Sequence, residues 1–128
     1  MYKNLLALAV GVAMAGCATA GEKTALTTET GFPSGALGLA AIERGDWQTA
    51  EAQLTAMQGV GENDPARLIN LGQVYMNTNR PGLAIQTWQR ALASPHHYQV
   101  TVADGTVAST RDVAMTALSR YQRYAGRY

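Results

Sequence analysis

The chain has 128 residues, which is enough for one domain, and its charges almost cancel, since ten Lys and Arg against nine Asp and Glu give a formal net charge of +1. Such a balance offers no basic surface to a polyanion, so we expect no nucleic-acid partner. Hydrophobic residues make up 47% of the chain, but alanine inflates this fraction. We therefore expect a small domain with a thin core.

Residues 1–16 have the features of a cleaved secretory leader. Lys3 supplies a positive charge, residues 5–15 form an apolar run, and two small residues stand directly before Cys17. The apolar run is too short to span a bilayer, which takes about 20 apolar residues. This order of features resembles the bacterial lipobox, with Met14 where leucine is usual.

The lipobox resemblance implies that residues 1–16 are removed as a signal peptide. It also implies that the thiol of Cys17 carries diacylglycerol and that the new α-amine is acylated, typically with palmitate. A single acyl chain binds membranes only marginally, whereas two or three chains hold a protein permanently. Cys17 is the only cysteine, so no intramolecular disulfide can form.

Residues 17–31 are predicted to be the lipidated cysteine and a flexible tether. Residues 18–31 are small, polar and rich in threonine, without a periodic apolar face. In the enteric sorting rule an Asp after the cysteine retains the protein in the inner membrane, but Ala18 stands here. We expect the chain on the periplasmic face of the outer membrane, with the inner membrane as the alternative.

Residues 32–128 form the predicted domain, and its first part repeats itself at a spacing of 34 residues. The matched pairs are Leu37 with Leu71, Gly38 with Gly72, Ala50 with Ala84, and Leu54 with Trp88. This period resembles that of the tetratricopeptide repeat, in which each unit is a pair of antiparallel helices. The resemblance implies an all-α fold with two such helix-turn-helix units.

The second unit carries most of the family's hallmark residues. These are Leu68, Leu71, Gly72, Tyr75, Ala84, Trp88 and Ala91. Small side chains at positions 72 and 84 would let the two helices of the unit cross closely, and Tyr75 and Trp88 would fill the space between units. Asn79 is expected in the left-handed turn between the helices. Asn63 or Asp64 is expected to cap the first helix, ahead of Pro65.

The first unit is weaker. Gly45-Asp46-Trp47 matches the usual turn between the two helices, but the preceding helix is short. That helix is predicted to contain Gly35 and Gly38, each of which costs up to about 1 kcal/mol relative to Ala in a helix interior.

No third unit follows at the same spacing. Residues 98–102 alternate like a strand, Asp104-Gly105 signals a turn, and residues 106–108 can return as a second strand. Residues 109–112 then resemble a capping box, opening a helix that Gly126 can end. We predict a short β-hairpin followed by a C-terminal helix that caps the second unit.

The sequence offers no catalytic or metal-binding motif. Adjacent residues point in different directions, so His96 and His97 cannot easily chelate one ion, and we interpret them as part of a solvated loop. No phosphate loop, nucleophile elbow or metalloprotease helix is present. We therefore expect no enzymatic activity, no cofactor and no metal site.

The family resemblance implies a concave peptide groove lined by the first helices of the units. The groove positions here are Leu39, Ile42, Ile69, Asn70, Gln73, Met76 and Asn77. Asn70 stands where peptide-binding members hold a ligand backbone or terminal carboxylate. The basic residues of a full carboxylate clamp are missing from the neighbouring unit, so a merely solvated Asn70 is the alternative.

A basic strip is the second candidate for binding. Arg120, Arg123 and Arg127 fall within an arc of about 60° on the last helix, with Tyr121, Tyr124 and Tyr128 beside them. The strip could meet anionic lipid, lipopolysaccharide phosphate or an acidic partner. The alternative is a solvated face with its tyrosines packed inward.

We predict a membrane-anchored periplasmic adaptor that uses protein–protein contacts to assemble an envelope complex, with a partner the sequence does not identify. The alternative is an accessory lipoprotein that contacts peptidoglycan or lipopolysaccharide, and a small enzyme is a distant third. Trp47, Met57 and Tyr98 are interpreted as core or seam residues without a functional role.

Overall fold

The computed structural model describes residue 32 and the ranges 36–56 and 59–125, without the side chains of residues 123–125. This part of the chain contains five helices and one two-stranded antiparallel sheet. The helices are α1 (Leu39–Glu43), α2 (Trp47–Thr55), α3 (Pro65–Asn77), α4 (Pro81–Leu92) and α5 (Thr110–Ala125), and the strands are β1 (Gln99–Thr101) and β2 (Val107–Ser109).

The predicted mostly helical fold with a short hairpin is thereby confirmed. The predicted signal peptide, Cys17 with its tether, Gly35, Met57 and Gly126 lie outside the described residues. Within the described ranges, no helix has both the length and the apolar character needed to cross a bilayer.

The turns within the first two helix pairs recur at an offset of 34 residues. Helix α1 ends at Glu43 and α3 at Asn77, while α2 begins at Trp47 and α4 at Pro81. Both helix pairs therefore turn at the same point of the repeat. The outer ends differ, since α1 has 5 residues against 13 in α3, and α2 has 9 against 12 in α4.

The turn between the helices has the same backbone conformation in both pairs. Gly45 has φ of 69° and Asn79 has φ of 60°, so the left-handed conformation expected at Asn79 is confirmed. The next amides, those of Asp46 and Arg80, each donate to the carbonyl oxygen five residues earlier at 2.8 Å. These bonds satisfy carbonyls that the helix ends would otherwise leave without partners.

Helix α3 begins at a complete N-cap. The Oδ1 atom of Asp64 accepts from the amide of Arg67 at 3.1 Å, and Pro65 occupies the first turn, where a missing N–H costs nothing. Asp64 is thus the cap, and the alternative cap Asn63 instead accepts from Arg90 Nη2 at 2.9 Å.

Gly38 lies before the first helix and not inside it, so the predicted cost of a glycine in a helix interior does not apply to it. Helix α1 begins at Leu39, and Gly38 has φ of 64°. A Cβ atom at Gly38 would lie 3.3 Å from the carbonyl oxygen of Ala50 and 3.4 Å from Cγ of Leu54. Both the backbone conformation and the close approach of α2 favour glycine at this position.

Gly72 provides the space in which the Trp88 side chain lies. A Cβ atom at Gly72 would stand 2.6 Å from Cδ1 of Trp88 and 2.7 Å from its Cε2. The indole lies directly on the α3 backbone, where its Nε1 donates to the carbonyl oxygen of Ile69 at 3.1 Å. The prediction that Trp88 fills the space between units is wrong in this respect, because it packs on its own partner helix and against Ala117 of α5.

Tyr75 lies at the junction of the two helix pairs, as predicted. It packs against a cluster from both pairs. The buried members of that cluster are Ala41, Ile42, Ala50, Leu54, Leu71 and Val74. Hence the second pair completes the core of the first.

The predicted hairpin is present, and α5 follows it without a linker. Gln99 pairs with Ser109, and Thr101 with Val107, around a turn in which Gly105 has φ of 84°. Ser109 Oγ accepts from the amide of Arg111 at 3.2 Å and so caps the start of α5. In the predicted capping box, the amide of residue 112 would have been the donor.

Helix α5 covers the second helix pair. Val113 and Ala114 are buried with residues of α3 and α4, and Ala117 is buried against Ala84 and Trp88. This is the position that the predicted cap was expected to take.

Gly72→Ala is expected to destabilise the domain by about 3 kcal/mol. The added methyl group overlaps the indole, and moving the ring also loses its hydrogen bond to Ile69. Gly82→Ala is the matched control, because Gly82 is exposed on α4 and a Cβ atom added there would meet nothing within 4 Å, so stability should stay equal or rise by up to about 1 kcal/mol. Denaturant unfolding of both variants measures the difference, and equal midpoints would contradict the role given to Gly72.

An ion pair connects α2 to the start of α4. Arg80 donates to both carboxylate oxygens of Glu51, at 2.9 and 2.6 Å, and its guanidinium carbon lies 4.7 Å from the centre of the Tyr75 ring. The hydrogen bonds from Arg80 lower the pKa of Glu51 below the ordinary value of 4.5. Both side chains are about one-third exposed, so the pair contributes little to stability.

The Glu51–Arg80 pair predicts a specific response to acid. Because the pKa of Glu51 is lower in the folded chain, its contribution is present above pH 4.5 and disappears as the pH falls through the folded pKa. Glu51→Gln should therefore cost about 0.5 kcal/mol at neutral pH and nothing in strong acid. Urea unfolding across this pH range measures the effect, with the exposed Glu43→Gln as the control for lost charge. A constant difference between wild type and Glu51→Gln at all pH values would contradict the assignment.

Candidate functional site

Most of the predicted groove residues are buried. Ile69 and Asn70 have no exposed surface and Gln73 is 5% exposed, while Leu39 and Ile42 of α1 are also buried. Of the remaining two, Met76 is half-buried and Asn77 is exposed at the end of α3. The face that the family resemblance assigns to a peptide is therefore covered in this structure.

Strand β1 and the residue before it contribute to that cover. Tyr98 and Val100 pack against the cluster formed by Leu37, Leu39 and Ala66. Val102, which directly follows β1, is 6% exposed and packs in the cluster that contains Leu68 and Ile69. Alternate side chains of an extended segment thus face the first helices, while Gln99 between them is exposed.

Asn70 holds a backbone group of its own chain. Its Nδ2 donates to the carbonyl oxygen of Leu37 at 3.0 Å, and the side chain is fully buried. The alternative of a merely solvated Asn70 is wrong. The bond ties α3 to the segment that leads into α1.

Asp64 and Tyr98 join the N-terminus of α3 to the hairpin. The Tyr98 hydroxyl lies 2.9 and 3.0 Å from the two oxygens of the Asp64 carboxylate. Burial, together with the negative charge of Asp64, raises the pKa of Tyr98 well above its usual value, so this hydroxyl stays protonated and donates. Phe32 lies beside it, with ring centroids 6.3 Å apart, and Tyr98 is a seam residue as predicted.

His97 is part of the framework, so its interpretation as a solvated loop residue is wrong. Its Nε2 lies 3.2 Å from the carbonyl oxygen of Leu92 and its Nδ1 lies 2.9 Å from Oγ1 of the buried Thr110. A carbonyl oxygen only accepts, so Nε2 carries a proton, and in the neutral ring Nδ1 accepts from the threonine hydroxyl. The residue connects the end of α4 to the start of α5, whereas His96 is exposed.

No metal centre is present in the described ranges, where His, Asp and Glu side chains nowhere form a group of three or more that could hold an ion. His97 has both ring nitrogens engaged by Leu92 and Thr110. It offers neither nitrogen to a ligand in this arrangement.

The basic strip is described only at its start. Arg120 is half-buried on α5, while the side chain of Arg123 and all of Arg127 lie outside the described residues, as do the side chain of Tyr124 and all of Tyr128. Tyr121 packs against the cluster around Trp88. Tyr121 therefore packs inward, as the alternative interpretation expected for the tyrosines. The binding role of the basic strip stays a prediction.

Arg67 is a structural residue that the sequence analysis did not identify. It is 5% exposed, and its guanidinium donates through Nε to the carbonyl oxygen of Leu54 at 2.7 Å and through Nη1 to that of Glu62 at 2.8 Å. Burial lowers the pKa of Arg67 from its usual value, although arginine stays charged at any physiological pH. A charged residue on the first turn of a predicted helix gives no signal of burial, because such residues are usually solvated.

Comparison with known proteins does not identify the chain, because no family model, curated protein or solved structure matches it.

Proposed function

We propose that this chain is a membrane-anchored periplasmic adaptor of the tetratricopeptide type, which mediates protein–protein contacts in the assembly of an envelope complex. The observation that carries the proposal is the 34-residue recurrence of the turn between paired helices, with left-handed residues at both Gly45 and Asn79. Stacked helix pairs of this kind present extended binding surfaces. The proposal assigns the chain no catalytic step and no cofactor.

A second recurrence supports the same proposal. In each helix pair a glycine stands against the side chain 16 residues further on, Gly38 against Leu54 and Gly72 against Trp88. The small residue between them, Ala50 or Ala84, is fully buried in both pairs. Glycine contacts at equivalent positions of the two pairs support a tandem repeat, with Gly38 directly before α1 and Gly72 within α3.

The anchor is the second part of the proposal. We propose that Cys17 carries the lipid and that residues 18–31 hold the helical domain close to the periplasmic face of the outer membrane. An adaptor tethered in this way meets its partner at a high effective concentration, because both are confined to one surface.

Cys17→Ser is expected to abolish acylation. The serine hydroxyl does not replace the thiol as the acceptor of diacylglycerol, so leader processing should fail as well. Intact-mass spectrometry of the protein recovered from membranes distinguishes an acylated N-terminal Cys17 from the unprocessed chain. Ala18→Ser is the matched control and should still be acylated, and an unmodified N-terminus at any other residue of the wild type would reject the anchor.

A photo-crosslinking amino acid at Asn77 tests the adaptor function. Asn77 is exposed at the end of α3, next to the covered face, whereas Gln48 is exposed on α2 and serves as the control position. We expect one discrete protein adduct from Asn77 in intact envelopes and none from Gln48. Adducts to glycan or lipopolysaccharide alone, or the same protein adducts from both positions, would reject the adaptor.

A further inference from the structure

We propose that the Tyr98–Val102 segment, which contains strand β1, is an internal ligand of the covered groove. We further propose that the partner segment bound there is an extended peptide with a tyrosine followed by β-branched aliphatic residues at alternate positions. This inference rests on the proposed adaptor function and names the chemistry of its partner.

The spacing of the contacts defines the first requirement for a ligand. Tyr98, Val100 and Val102 are two residues apart and pack toward the first helices, while Gln99 is exposed. An extended chain places every second side chain on one face, so a peptide must carry its apolar residues at this period. A helical ligand, with apolar residues three or four apart, does not match these positions.

The floor of the groove defines the second requirement. Ala66 is fully buried in the cluster against which Val100 packs, and Ile69 is fully buried in the cluster that contains Val102. The small side chain of Ala66 leaves room for a branched residue at the middle position. Both contacts are apolar, so they favour valine or isoleucine over a charged residue.

Asp64 defines the third requirement. Both of its carboxylate oxygens lie within 3.0 Å of the Tyr98 hydroxyl, while Oδ1 also caps α3 through the amide of Arg67. A phenylalanine at the first ligand position would fill the same space but leave the half-buried carboxylate without this donor. Sites built around a hydrogen bond discriminate strongly against the analogue that lacks it.

Displacement of the hairpin by a partner would leave its own ladder intact. The ladder between β1 and β2 is internal to the hairpin, and Val102 bonds across it to the carbonyl oxygen of Thr106 at 2.9 Å. Opening therefore breaks side-chain packing, the Tyr98–Asp64 contact and two bonds between Tyr98 and Thr110, but not the ladder. Of those two bonds, one runs from the Thr110 amide to the Tyr98 carbonyl and the other from the Tyr98 amide to Thr110 Oγ1. The apparent affinity of a competing peptide is its affinity for the open groove multiplied by the fraction of chains in which the groove is open.

The test measures binding of a fluorescent peptide that copies residues 96–104 to the full chain in mild detergent. Tyr98→Ala weakens the internal ligand without changing the groove, so it should bind the peptide at least tenfold more tightly than the wild type. Gln99→Ala, at the exposed neighbour, should bind like the wild type. A second peptide with phenylalanine for tyrosine should bind Tyr98→Ala at least tenfold more weakly than the first.

A disulfide keeps the inference testable if Tyr98→Ala fails to fold. In a Cys17→Ser background, Ala66→Cys with Val100→Cys places a cysteine pair between α3 and β1, and Thr101→Cys with Val107→Cys places one within the hairpin. Oxidation should abolish peptide binding only in the first pair, and reduction should restore it. Peptide binding that is equal in the oxidised and reduced first pair, or no gain in a folded Tyr98→Ala, would overturn the inference.

The outcomes separate this inference from the adaptor function. A protein adduct at Asn77, with no peptide binding to folded Tyr98→Ala, would reject the internal ligand but remain consistent with the adaptor function. Tight peptide binding to Tyr98→Ala, without any protein adduct in envelopes, would reject the adaptor function but support the groove as a peptide site.

Discussion

The contact between Trp88 and the bare backbone at Gly72 is the constraint on which the rest of the domain depends. It brings α4 so close to α3 that the indole reaches the Ile69 carbonyl, and it fixes how the two helices cross. The same indole packs in a cluster with Ala117, which helps to position α5. The rigid indole of Trp88 fits in few orientations over the backbone of Gly72. This contact can therefore fix one packing of the helices even though the core is thin.

The chain compensates for having only two helix pairs by folding back on itself. Two helix pairs leave the outer face of the second pair and the inner face of both without a neighbour, and such faces are too apolar to remain in water. Helix α5 covers the first of these surfaces and the hairpin packs on part of the second. The segment around β1 therefore lies on the face that the repeat resemblance assigns to a ligand.

Local signals predicted the local structure well. The repeat spacing located the turns at Gly45 and Asn79, Asp64 with Pro65 located a helix start, and the alternation after Pro95 located the hairpin. Each of these depends on neighbours in sequence, through backbone conformation or hydrogen bonds a few residues apart.

Contacts between distant segments were harder to predict. Nothing in the sequence near Asn70 indicates that the Leu37 carbonyl is its partner, and nothing near His97 indicates Thr110. The groove was predicted as open because the resemblance to longer repeat proteins describes helix faces, and it does not say what a chain with two units places on them. Asn70 is buried with its amide bound to the Leu37 carbonyl, and the spacing of the repeat does not indicate that pairing.

Arg67 and Asn70 have a consequence for cooperativity. Both belong to α3, yet they complete hydrogen bonds of the preceding unit, one at the Leu54 carbonyl near the end of α2 and the other at the Leu37 carbonyl before α1. Without α3 the N-terminal helix pair would lose both bonds and would expose the core cluster that it shares with Leu71 and Val74. Long solenoids can fray one repeat at a time because each repeat is nearly self-sufficient. Here the second pair supplies donors that the first pair lacks, so the two form and melt as a single unit.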